Sequence, residues 1–299
     1  MNITSPLITG GEVNLIHSIN TEYIISLYQS KYEIDTKRFF EGLSKVDIFK
    51  CATTGYEFGY PYSVAGDGKF YEELQNFEWY YTADKWEHLE SLKYINKGDN
   101  VLEVGCAKGA FLERLKTHCA KAVGLELNES AAENARAKGL DVRNQLIQDF
   151  AKANEGQFDV VCSYQVLEHI TEVREVINAM IACLKPGGRL IISVPNNETF
   201  ITLDDLNMPP HHVGFWNSKA FKALPKYFTG IKLREMRYEP LQSQHFEWYY
   251  DIKFRQPLNK LGFIGYKLLG LLFPYKDKLL HTLSSKIKGH SIMPIYYKL

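Results

Sequence analysis

Two groups of residues in this sequence are of types and spacings that can carry chemistry. The first is Glu103-Val-Gly105-Cys106-Ala107-Lys108-Gly109-Ala-Phe111, a loop with two glycines and an acidic residue ahead of it. Glu126, with Leu127 after it, stands 21 residues beyond Gly105. Glycines permit a tight turn and close approach of backbone to ligand, and an acidic side chain at that distance can accept hydrogen bonds from both hydroxyls of a ribose. The second group is histidine: Glu168-His169, and further on Pro209-Pro210-His211-His212-Val-Gly-Phe-Trp216. Histidine titrates nearest neutrality, and a base of that strength suits removal of a proton from an oxygen nucleophile. His211 or His212 is favoured over His169 for that role, because a proline-rich loop with aromatics suits a lid facing a substrate. Asp204 and Asp205 are close enough in the chain to orient the histidine. Glu168-His169 reads equally as a structural pair at a helix start. Adjacent histidines without clear carboxylate partners are a weak metal signal, and no metal ligand is assigned.

Strands and helices must alternate to bring these groups together. Val101-Leu-Glu-Val reads as a short buried strand, and 110–118 as a helix with Phe111, Leu112 and Leu115 on one face. Residues 122–127 read as a second strand. Asn128 caps a helix that Gly139 stops. Residues 141–147 are a weaker third strand and 158–164 a clear fourth. A helix over 172–184 ends at Lys185-Pro-Gly-Gly, and Arg189-Leu-Ile-Ile-Ser-Val-Pro is the fifth strand. This alternation predicts βαβ units and a parallel sheet, whose ligands bind at the carboxyl ends of the strands. Residues 1–65 read as irregular and turn-rich, and 66–98 as two short amphipathic helices. After the fifth strand come a helix over 218–228, a strand over 231–238 and a largely helical stretch over 245–288. A closing strand follows from Ser291, and its Pro294 argues for an edge position.

Two cofactor classes compete for the glycine loop. A dinucleotide asks for Gly-x-Gly-x-x-Gly or Ala, but Ala107 stands at the second glycine position and Glu103 would repel a diphosphate. S-adenosylmethionine carries an ammonium and a sulfonium, which a carboxylate attracts, so Glu103 favours it. Glu126 serves either nucleoside. The stretch 101–196 resembles the core of the class I S-adenosylmethionine-dependent methyltransferases. Val101-Leu-Glu-Val-Gly-Cys-Ala-Lys-Gly-Ala-Phe-Leu matches their first motif and Gly124-Leu-Glu126 the ribose-binding strand end. Phe158-Asp-Val-Val-Cys-Ser-Tyr-Gln-Val-Leu-Glu168-His169-Ile matches the fourth-strand motif, and Leu184-Lys-Pro-Gly-Gly-Arg-Leu-Ile-Ile-Ser-Val-Pro-Asn the fifth. Ala107 departs from the usual glycine and tightens the loop slightly.

The resemblance implies roles for further residues. Cys106, Ala107, Gly109 and Phe111 accompany Glu103 and Gly105 in the cofactor loop, with Glu126 and Leu127 at the ribose. Asp149 and Phe150 should lie against adenine, Gln148 taking the polar role if the register is one residue off. Tyr164 and Gln165 should line the methionine end. Tyr81, with Tyr80 and Trp86, resembles an N-terminal cap that closes over the cofactor, although these aromatics read equally as core. The Pro-Pro-His-His segment resembles one in bacterial methyltransferases that tailor glycans and natural products. The expected activity is therefore methyl transfer to a small-molecule or sugar acceptor, with oxygen favoured as the atom and a histidine as base. An NAD-dependent oxidoreductase and a non-catalytic cofactor-binding relative are the competing readings.

Composition bounds these expectations. The 299 residues, 45% hydrophobic and 23% charged, describe a folded globular chain. Lys+Arg and Asp+Glu are equal at 35 each, which gives no reason to invoke nucleic acid as partner. The balance is uneven along the chain. Residues 252–299 hold nine Lys and Arg against Asp277 alone, leaving the rest acidic. A basic, apolar segment over 258–288 is compatible with peripheral contact to an anionic membrane, with a homodimer contact, or with a cover over the substrate pocket. Five scattered cysteines without a Cys-x-x-Cys pair, and a start lacking a signal-peptide pattern, point to the cytoplasm. The expected architecture is α/β: a Rossmann-like, seven-stranded, mostly parallel sheet with helices on both faces. Its parts are an N-terminal cap over 1–95, a methyltransferase core over 96–244, a C-terminal helical insertion over 245–288 and a closing strand over 289–299.

Overall fold

A computed structural model describes residues 3–77, 85–243, 245–260, 262, 267–268, 284 and 287–299. The N-terminal residues are more ordered than their sequence suggests. β1 (Val13–Asn20), β2 (Lys45–Cys51) and β3 (Glu57–Tyr60) pair antiparallel, with α1 (Thr21–Tyr32) between the first two. Asn20 caps α1, its Oδ1 accepting from Glu22 N at 2.7 Å. Val46 and Ile48 of β2 bury with Ile24, Tyr28 and Phe70 in a cluster of their own. Four-to-eight-residue strands broken by turns made this region look irregular. Two short helices then follow as the aromatic spacing predicts, α2 (Gly68–Leu74) and α3 (Trp86–Ser91).

The alternating elements come next: β4 (Asn100–Val104), α4 (Ala110–Leu115), β5 (Lys121–Leu125), α5 (Glu129–Ala137), β6 (Asp141–Arg143), α6 (Ile147–Ala153), β7 (Phe158–Tyr164), α7 (Val173–Cys183) and β8 (Leu184–Pro195). Beyond them lie β9 (Gly214–Phe215), α8 (Ser218–Tyr227), β10 (Ile231–Pro240), α9 (Phe246–Tyr250) and β11 (Lys288–Lys298). Seven strands form one sheet in the order β10-β11-β8-β7-β4-β5-β6, with β8, β7, β4, β5 and β6 parallel and β11 antiparallel to both neighbours. Both faces are covered, as an α/β fold requires. Leu102, Val161 and Ile192 bury in one core cluster, while their chain neighbours Val101, Val160 and Ile191 bury in the other. That is the two-residue period of a strand sandwiched between helices.

Two expectations need correction. β11 is an interior strand, not an edge. Pro294 pairs with Met236 of β10 beside a register shift between Leu233 and Glu235, and an irregular ladder tolerates a residue that cannot donate. The third strand stops at Arg143 instead of running to Ile147, where α6 begins.

The loop between β8 and α8 ties the two sheets together. Its β9 joins the small sheet, Phe58 facing Gly214, while Trp216 bridges to Asn196 at the end of β8. Gly59 N donates to Val213 O at 2.9 Å and Gly66 N to Pro210 O at 2.8 Å, so N-terminal backbone holds the Pro-Pro-His-His segment on both sides. The basic stretch over 258–288 lies largely outside the described residues, as do Tyr80 and Tyr81. Trp86 packs against the core. Among the described residues no helix is long and apolar enough to cross a membrane.

Candidate active site

A cavity of about 880 Å³ opens at the carboxyl ends of β4, β5, β7 and β8. The turn after β4 builds one wall. Gly105 has φ +78°, and Gly105 N and Cys106 N both donate to Leu125 O, at 2.8 and 3.0 Å, which folds the loop against the end of β5. Glu126 leaves β5 into the cavity. Its Oε2 accepts from Ala107 N and its Oε1 from Asn128 N, both at 2.8 Å. Burial nevertheless pushes the Glu126 carboxyl above its usual pKa, against those hydrogen bonds.

The structure sorts the expected cofactor residues. Gly105, Ala107, Glu126, Leu127, Tyr164 and Gln165 line the cavity. Cys106 does not: its Sγ packs on Gly124 beneath the loop. Gly109 caps α4 at φ +79°, where a Cβ would overlap Leu140. Phe111 is core, edge-on to Tyr164 at 5.1 Å. Glu103 lies behind the loop, 3% exposed, with no hydrogen-bond partner for Oε2 among the described residues. Burial raises its pKa to about 8, an effect that nearby Lys85 opposes and Glu126 reinforces. Asp149 points outward and pairs with Lys152 at 2.7 Å, and Phe150 packs on Phe158 in the core. The early end of β6 explains both displacements. Gln145, Leu146, Ile147 and Gln148 line the cavity instead.

The histidines converge on the same cavity. His169 ends a short 3-10 turn after β7, and His211 and His212 arrive from the loop after β8. His169 Nδ1–H donates to His211 O at 2.7 Å, and His211 Nδ1–H to Leu206 O at 3.2 Å. His212 Nδ1–H donates at 3.0 Å to Asn207 Oδ1, an orientation fixed because Asn207 Nδ2 donates to Asn197. The oxygens that orient the three rings through Nδ1 are thus not those of Asp204 or Asp205: Asp204 accepts from Leu206 N, and Asp205 pairs with Lys31. Burial holds all three rings neutral, lowering His169 to about 4 and His211 and His212 well below the usual imidazole range. Glu168, buried beside them, is raised by the same cause to about 8.

The model of the methyltransferase domain family matches residues 78–264. The chain belongs to that family. It is 34% identical over 107 residues to the ubiquinone biosynthesis O-methyltransferase of Vibrio parahaemolyticus, covering 34% of this chain and 46% of that protein. To the Coxiella burnetii ubiquinone biosynthesis O-methyltransferase it is 32% identical over 147 residues, covering 42% of this chain and 63% of that one. The chain thus spans about half the length of the curated relatives it matches. A solved SAM-dependent methyltransferase of Thermotoga maritima shares the fold, with TM-score 0.50 at 15% identity over 77% of this chain and 96% of that one.

S-adenosylmethionine is the cofactor of this class I methyltransferase, and the residues present suit it. Leu127 and Leu146, half exposed, flank Ile147 as apolar walls for a flat base. Gln148 Oε1 is buried without a partner among the described residues, an acceptor left for an amine. Among the described residues the lining holds seven acidic side chains, three of them raised in pKa by burial, against Lys85 and no arginine, a field that favours a cation over a diphosphate. Sequence reasoning missed Gln145, Leu146 and Ile147, whose signal was the strand-to-helix turn after β6. It also missed Tyr71, Lys85, Glu87, His245 and Ser291, which reach the cavity from remote elements. Gln165 ties two of these together, Nε2 donating to Glu87 at 3.1 Å and Ser291 at 3.2 Å.

Proposed function

We propose that this methyltransferase transfers a methyl group from S-adenosylmethionine to an oxygen of a neutral small-molecule acceptor, a sugar or natural product with free hydroxyls. The observation that carries the reading is the trio His169, His211 and His212 facing the same cavity as the Glu126 loop. Glu126 holds the ribose, Leu127, Leu146 and Ile147 enclose the adenine, Gln148 accepts from its amine, and Tyr164 and Gln165 border the methionine end. Bound there, the cofactor supplies an activated methyl group whose departure leaves a neutral thioether. The protein contributes alignment and exclusion of water, worth several kcal/mol of barrier. The histidine cluster accepts a hydrogen bond from the acceptor hydroxyl and then its proton. A weakly basic imidazole suffices, because the oxygen becomes strongly acidic as the new bond forms.

The relatives named as O-methyltransferases support oxygen as the atom. The carboxylate-rich lining disfavours phosphorylated acceptors and nucleic acid. All five cysteines are free thiols, which supports a reducing, cytoplasmic setting. The test is turnover of S-adenosylmethionine against a panel of neutral polyols, glycosides and phenols, with the methylated atom located by mass spectrometry. His211→Ala and His212→Ala should abolish turnover while keeping S-adenosylhomocysteine affinity. Undiminished turnover in both removes the histidine assignment, and methylation of amines alone removes the oxygen.

A further inference from the structure

The histidine cluster also has the arrangement of a ligand set, a role alternative to that of proton acceptor. One ring nitrogen from each of His169, His211 and His212 lies within 4.8 Å of the other two. Each ring commits its Nδ1–H to an oxygen: His211 O, Leu206 O and Asn207 Oδ1. The lone pair of every ring is thereby placed on Nε2. Metal-binding histidines are held in this way, with an outer oxygen fixing tautomer and ring orientation. Glu168 adds an independent observation. It is 2% exposed, its Oε2 has no hydrogen-bond partner among the described residues, and its Oε1 lies 3.9 Å from His169 Nε2. A buried carboxylate with an unmatched oxygen is costly unless it meets a cation. Among the described residues the acidic side chains of the lining outnumber its one lysine, which draws a cation toward the cluster. The adjacent pair alone was a weak metal signal in the sequence, and folding adds the third imidazole and the carboxylate.

We propose that His169, His211 and His212, with Glu168 beside them, bind one divalent transition-metal ion of the zinc class at the acceptor end of the cavity. This deepens the reading of the site as a methyltransferase and rests on it. Imidazole ligands suit such ions, and a set of three leaves a position open to an acceptor hydroxyl. Tetrahedral bonds of about 2.0–2.1 Å place ligand nitrogens about 3.4 Å apart, so the three rings must close in, and those of His211 and His212, stacked at 4.3 Å and 21°, must turn apart to aim at one ion. An acceptor hydroxyl at the open position is polarised and its proton leaves to water. Its electron pair then forms the bond to the methyl carbon as the carbon–sulfur pair returns to sulfur. The histidines act in that case as ligands instead of bases.

Metal-free purified protein is titrated with Co²⁺, read by its visible absorption, and Zn²⁺ is then added in competition. The expected result is one tightly bound equivalent with the absorption of a tetrahedral site, displaced by Zn²⁺. His169→Ala, His211→Ala and His212→Ala should each weaken it by more than the roughly 10–100-fold that loss of an outer partner costs. His17→Asn, on the exposed face of β1, should leave it unchanged. S-adenosylhomocysteine calorimetry in parallel reports that each variant is folded. No bound equivalent in the unsubstituted protein, or an equivalent kept in all three variants, overturns the metal site and leaves methyl transfer by a histidine base standing. One cluster-dependent equivalent without turnover of any acceptor supports the metal site and overturns the proposed activity.

Discussion

Glu126 and Glu103 are both raised in pKa by burial but differ in their hydrogen bonds. Glu126 is gripped by two backbone N–H groups at 2.8 Å, so its side chain joins the glycine loop to the start of α5. Glu126→Gln would replace one acceptor oxygen with an NH₂ that faces an N–H. We expect a stability loss of about 1–3 kcal/mol in thermal unfolding and at least tenfold weaker S-adenosylhomocysteine binding by calorimetry. Glu103 has lost water, its Oε2 has no donor among the described residues, and burial raises it from 4.5 to about 8. The folded state thus keeps a proton that the unfolded state releases above its pKa, and the protein loses stability as pH rises from about 4.5 to about 8. Glu103→Gln should level that slope. Its melting temperature should match the unsubstituted protein near pH 4.5 and exceed it by several degrees near pH 8.5. Equal melting temperatures at both pH values would contradict this account of Glu103.

Among the elements, the proposed function assigns cofactor geometry to the turn between β4 and α4 and the acceptor end to the loop after β8. Gly105 at φ +78° has no room for a side chain, since a Cβ would overlap Val166 Cγ2 in the loop after β7. Gly105→Ala should cost at least about 1–2 kcal/mol from the backbone alone and weaken S-adenosylhomocysteine binding in the same measurement. Ala107, also left-handed at φ +47°, should respond oppositely. Ala107→Gly relieves backbone strain, so affinity should hold and stability stay level or rise by up to about 1 kcal/mol. The acceptor end depends on α2 as well, because Tyr71 Oη donates to His211 O at 3.1 Å, the carbonyl that also receives His169 Nδ1–H.

At the scale of the molecule, the two sheets behave as one body through Trp216. Its fully buried ring stacks on Phe221 at 4.6 Å and leans on Tyr56 of the small-sheet region at 4.6 Å, while its backbone bridges to β8. Trp216→Ala should cost about 3–5 kcal/mol and split a single thermal transition into two, with the N-terminal sheet melting first. Trp216 is not among the residues lining the cavity, so S-adenosylhomocysteine binding at low temperature should persist. A single unshifted transition would show that the sheets are joined elsewhere.

Some elements announce themselves through local signals in the sequence. A strand, a glycine turn and a helix start lie within a dozen residues around Gly105. Buried parallel strands read as apolar runs, so the α/β fold, Glu126 and the three histidines were all legible. Tertiary structure decided what depends on register and on distant chain segments. The end of β6 at Arg143 moved the cavity wall from Asp149 and Phe150 to Gln145–Gln148. The placement of β11 inside the sheet, the order within 1–65, and the arrival of Tyr71, Lys85 and Ser291 at the cavity have no local signature. Above all, His169 and the pair His211-His212 are more than forty residues apart in the chain. They become one cluster because β7 and β8 are parallel neighbours ending at the same edge, and the small sheet holds the loop after β8 against that edge.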